Sequence, residues 1–94
     1  MSLVHTSTNG TVTIPADVLE QIVGHAAEQV DGVRVRKRRT VDVDARTVRL
    51  EIGARRGEPL AALGERVQAE VGDALRAMCD LDVQAVDVAV EELW

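Results

Sequence analysis

Aromatic side chains are almost missing: there is no Phe, no Tyr, and a single Trp at position 94. Single-stranded nucleic acids are usually gripped by stacking bases on aromatic rings, at about 1–3 kcal/mol per base. That ligand class falls in rank, and sugars fall with it. Cysteine is nearly absent as well. Cys79 stands alone, so an internal disulfide and a cysteine-built zinc site are both excluded, and the residue reads as a small buried hydrophobe on a helix. No apolar run approaches the roughly 20 residues that cross a bilayer. The opening MSLVHTSTNG shows no basic region followed by a long apolar stretch, so the expected location is the cytoplasm.

What remains is a chain of 94 residues, of which 46% are hydrophobic. That length suits one domain spanning 1–94 with one core, burying roughly 60–65% of the surface of its unfolded form. Residues 1–9 are expected to be flexible. The core must be built from Val, Leu, Ile and Ala.

Net charge is −5, but the charges are segregated. Residues 31–57 hold nine of the eleven Arg and Lys against four acids, leaving two basic residues and twelve acids for the rest. Such a dipolar molecule is steered toward a charged partner, or a second copy of itself, more than toward bulk polyanion.

Along the chain, Gly10, Thr11, Val12, Thr13 and Ile14 read as a short strand rich in β-branched residues. Pro15 and Asp17 then start a helix running to about Val30. Its apolar stripe is Val18, Leu19, Ile22, Val23, Ala26, Ala27 and Val30, and Gly24 within it signals close packing. Asp31 and Gly32 close the helix, glycine supplying a left-handed cap. Val33, Val35, Val41 and Val43 share one face of the next strand, but Lys37 and Arg39 would join them there. Two cations aimed at a valine core are too costly without partners, so a loop or bulge is expected at about residues 36–40.

A tight turn at residues 44–47 leads into a strand with Val48, Leu50, Ile52 and Ala54 inward and Thr47, Arg49 and Glu51 outward. Leu60, Leu63, Val67, Val71, Ala74, Leu75 and Met78 trace a second amphipathic helix ending near Asp80. The last segment, residues 81–91, alternates but changes phase at Ala85, where a bulge is expected. The predicted fold is α+β with the order β-α-β-β-α-β: two helices packed on one face of a small mixed or antiparallel sheet.

With the elements placed, the chain resembles the bacterial alkaline-shock protein family over about residues 10–91. One signature is Gly10, Thr11, Val12, Thr13 and Ile14, followed by Ile22, Gly24, Ala26 and Ala27 on the helix and Val30, Asp31, Gly32 and Val33 at its exit. The other runs from Val67, Gln68 and Met78 to Leu81, Asp82, Val83 and then Val86, Asp87, Val88, Ala89 and Val90. Two departures stand out: Arg34, Val35, Arg36, Lys37, Arg38 and Arg39 replace a glycine-rich excursion, and Asp31 replaces a proline. The resemblance implies a stress- or envelope-associated role exerted through protein contacts, often near the membrane through an anchored partner. It implies no catalytic residues.

The chemistry of the residues agrees with a non-enzymatic reading. The glycines at 53 and 57 fit neither a phosphate-binding loop nor a nucleotide fingerprint, nor the GxxG clamp of some RNA-binding domains. His5 and His25 lie twenty residues apart with no carboxylate at ligand spacing, so no metal and no cofactor is expected. Ser2 and Ser7 lie at the terminus, where a nucleophile is not held in place. Asp42, Asp44, Asp82 and Asp87 sit on the polar sides of strands, where solubility explains them. The candidate partner-binding residues are therefore Arg34, Arg36, Lys37, Arg38 and Arg39, with Arg55 and Arg56. Charged edges also keep sheets from pairing wrongly. The leading expectation is a protein-interaction module binding a protein partner or itself through this basic loop and sheet edge. The alternative is a nucleic-acid binder using the same arginines. Trp94, at the chain end, reads as a frayed tail rather than a contact.

Overall fold

The computed structural model describes residues 3–7 and 11–94. Side chains are described from Thr13 onward. The elements are β1 (Leu3–Ser7), β2 (Thr11–Pro15), α1 (Ala16–Glu28), β3 (Val33–Asp42), β4 (Thr47–Ala54), α2 (Leu60–Cys79) and β5 (Ala85–Glu92). From β2 onward this is β-α-β-β-α-β, an α+β fold with two helices packed against a three-stranded mixed sheet. β4 lies at the centre, antiparallel to β3 and parallel to β5. β1, which the polar opening of the sequence does not announce, pairs with β2 in a separate antiparallel sheet.

Each helix covers one outer strand, α1 over β3 and α2 over β5, and the two helices touch each other. The central strand alternates cleanly. Val48, Leu50, Ile52 and Ala54 are buried beneath the helices, while Thr47, Arg49 and Glu51 face the open side of the sheet. Leu19, Val23, Ala26 and Ala27 come down from α1, and Leu63, Val67, Val71 and Leu75 from α2. Aliphatic side chains thus fill the core, each fully buried one stabilising by about 1.5–3 kcal/mol.

Three details of the apolar pattern differ from expectation. Val18 is 37% exposed, because it lies at the margin of the α1 stripe. Met78 is 66% exposed, while Cys79 is buried as expected and continues the four-residue step of Leu63, Val67, Val71 and Leu75. The helix ends on Asp80, whose left-handed backbone (φ 52°) lets the Leu81 N–H donate back to the Leu75 carbonyl. The change of phase near Ala85 is not a bulge: residues 81–84 lie outside any strand, and β5 begins at Ala85. Leu81 is buried by the connecting segment, and the Gln84 N–H donates to the Arg46 carbonyl.

The expected break in β3 is present. Val35 pairs with Ile52 and Arg39 with Leu50, so residues 36, 37 and 38 together oppose Glu51. The strand bulges there, which leaves Lys37 exposed to solvent while Val33, Val35 and Val41 keep the shared helix-facing side that alternation gives them. The turn at residues 43–46 is fixed by Asp42, whose carboxylate accepts from the Ala45 N–H at 3.0 Å, and by Arg46 in a left-handed conformation. At the exit of α1, Gly32 (φ 85°) takes the left-handed position that only glycine adopts without strain.

Candidate functional site

The bulge of β3 and the adjoining end of the sheet carry the basic side chains that the charge pattern singles out. Their surroundings sort them into two groups.

Arg39 is half-buried and turns toward the helices. Its Nε donates to the Glu20 carbonyl of α1 at 2.9 Å, and its Nη1 reaches the Arg36 carbonyl at 3.4 Å. The guanidinium lies in the space left by Gly24: a Cβ added there would sit 3.2 Å from Arg39 Cζ. The glycine inside α1 therefore makes room for a side chain from β3, and the cation that would be costly in a valine core is satisfied by backbone carbonyls.

Arg36 forms an ion pair with Glu91 of β5 at 3.0 Å. Both are solvent-exposed, so the pair is worth no more than about 1 kcal/mol. Arg34 stacks its guanidinium 4.2 Å from the centre of the Trp94 ring. Arg55 pairs with Glu58 and with Asp31. The hydrogen bond to Glu58, then that to Asp31, hold its guanidinium still more firmly protonated than usual. Arg56 exposes its side chain, while its N–H donates to the Trp94 carbonyl.

Lys37 and Arg38 differ from Arg34, Arg36, Arg39 and Arg55. Both are exposed at the bulge, and among the described residues neither makes an ion pair or a side-chain hydrogen bond. Arg38 borders a shallow depression of about 450 Å³ on the open face of the sheet, shared with Arg49, Glu51, Asp87 and Ala89. Arg49, not among the candidate residues, belongs here. Its outward position follows from the alternation of β4, and it pairs with Asp87 at 3.6 Å.

The structure thus places Arg34, Arg36, Lys37 and Arg38 along β3, and brings Arg55 and Arg56 to the β4 end beside them, where the Arg55 N–H donates to the Gly32 carbonyl. Arg36, Arg39 and Arg55 are committed to intramolecular partners. Trp94 is no frayed tail. Leu93 lies over Gly53, its N–H donating to the Ala54 carbonyl at 2.8 Å, and Trp94 is half-buried against Arg34.

Elsewhere, Asp42 is engaged in its turn and Asp87 in its ion pair. Among the described residues no group of three His, Cys, Asp or Glu side chains is placed to hold a metal ion. Burial pushes the Cys79 thiol up from its ordinary pKa. No helix among the described residues is long and apolar enough to cross a membrane. No protein-family model, curated protein or solved structure matches the chain.

Proposed function

We propose that this chain is a non-catalytic protein-interaction module that presents the β3 bulge to an acidic protein surface. The observation that carries the reading is the pair Lys37 and Arg38: two cations raised on a strand irregularity, exposed and without an intramolecular partner among the described residues. Around them Arg34, Arg36, Arg39 and Arg55 are held by their own partners, which orders the rim of the surface and leaves the two bulge cations to meet another molecule. Charges so placed steer encounter and select partners by sign. The resemblance to alkaline-shock proteins supports the same reading and implies a role near the cell envelope through an anchored partner.

Capture on the immobilised chain tests it. Lys37→Glu with Arg38→Glu should lose the acidic proteins that the unaltered chain retains, and unchanged recovery would reject the reading. Titration with duplex DNA provides the contrast, because binding through phosphates collapses steeply with salt. DNA is expected to bind only at low ionic strength. Retention of DNA at physiological salt, lost in the same double variant, would favour nucleic acid instead.

A further inference from the structure

The outer edge of β5 faces solvent. The strand has β4 as its one neighbour in the sheet, and along the other side α2 supplies a single side-chain bond, from the Gln68 amide to the Val86 carbonyl at 3.0 Å. Between α2 and this edge runs an open groove of about 540 Å³. Asp73 lines it from α2, Asp82 from the connecting segment and Asp87 from β5, with Arg76 as the opposing cation. Asp73 and Asp82 are exposed and make no ion pair among the described residues.

The β3 bulge lies at the opposite edge of the same sheet, whose order is β3-β4-β5. Each molecule therefore carries a basic projection on one edge and an acidic recess on the other. We infer that the partner of the basic bulge is a second copy of this chain, which receives Lys37 and Arg38 in the groove between its α2 and β5. This rests on the interaction-module reading and supplies its partner.

Charge selects the arrangement. A two-fold contact of bulge on bulge would set Lys37 and Arg38 against themselves, and groove on groove would oppose Asp73 and Asp82. Only the head-to-tail arrangement brings unlike charges together. Contact runs through side chains rather than by strand addition, because the start of β3 has its outer amides occupied: the Val33 N–H donates to the Val30 carbonyl and the Val35 N–H to the Glu28 carboxylate. Since both faces of one copy can be engaged at once, the association passes beyond the dimer, into a ring or an open chain.

Sedimentation velocity of the full chain over a range of concentrations, at low and high salt, tests the inference. The expected result is a mass that climbs past the dimer as concentration rises at low salt and returns to the monomer at high salt. Lys37→Gln with Arg38→Gln removes the projection, and Asp73→Asn with Asp82→Asn removes the recess. Each double variant alone should associate roughly tenfold more weakly or worse. Mixed in equal amounts, the two should form a one-to-one dimer that grows no further, since one intact bulge meets one intact groove. Circular dichroism checks that these exposed substitutions leave the fold in place. A wild-type chain that stays monomeric, that stops at a dimer, or that associates equally well in both variants overturns the inference. If it stays monomeric while capture of an acidic protein still depends on Lys37 and Arg38, this inference falls and the interaction-module reading stands.

Discussion

Replacing Gly53 by alanine should dislodge the end of the chain. An added Cβ would lie 2.8 Å from Leu93 Cγ, closer than real Cβ atoms approach, so Leu93 must leave its place over the sheet. Leu93 is 40% exposed, so about three-fifths of its surface is covered. A fully buried leucine contributes about 1.5–3 kcal/mol, which makes this share about 1–2 kcal/mol. The Arg34–Trp94 stacking that follows it adds about 0.5–1 kcal/mol at such an exposed site. Alanine recovers up to about 1 kcal/mol over glycine in a strand. The net expectation is a loss of about 0.5–2 kcal/mol in urea unfolding. Trp94 is the chain's sole aromatic, so its emission reports the event without ambiguity: a red shift and easier quenching by acrylamide. In a Leu93→Ala background the obstruction is gone, and the same glycine replacement should become neutral or stabilising. Unchanged Trp94 emission, together with an equal stability change in both backgrounds, would refute this account of the tail.

Gly24→Ala offers a second test of a glycine that accommodates a side chain. The helix gains about 1 kcal/mol from alanine, but Arg39 must shift from a contact of 3.2 Å and strain a charge-assisted bond to Glu20 worth about 1.5–3 kcal/mol. The substitution should destabilise the parent chain and stabilise an Arg39→Met variant, and the same sign in both would contradict the geometry. For Cys79, burial raises the folded-state pKa above that of the unfolded chain. The protonated thiol is thus favoured in the fold, stability is intact below the unfolded value of about 8.5, and it declines as pH rises beyond that. Urea midpoints between neutral and alkaline pH should fall more for the parent than for Cys79→Ala; parallel curves would show that the thiol is not the cause.

Much of the architecture was legible because its causes are local. The apolar stripes of α1 and α2 and the alternation of β4 are periodic signals. The β3 bulge followed from a conflict visible in the residues themselves, valines and cations competing for one face. Elements whose causes lie at a distance were not legible. β1 exists through backbone pairing with β2, which its own residues do not advertise. Docking of Leu93 and Trp94 depends on Gly53 leaving space, and nothing in the last residues indicates that. In the candidate site, charge segregation was plain, but its division into held and unheld cations was not. Arg36 and Glu91 meet across 55 positions of sequence, and Arg39 finds its acceptor on the backbone of a helix.

The central place of β4 bears on how the molecule assembles. Its pairing with β3 closes over a short turn, whereas Thr47 reaches Ala85 only after the whole of α2 has been laid down. Late, long-range closure of this kind is the slow part of folding. The β3–β4 hairpin with α1 is a natural early nucleus, and amide hydrogens of β4, screened by a strand on either side and helices above, should be the last to exchange with solvent.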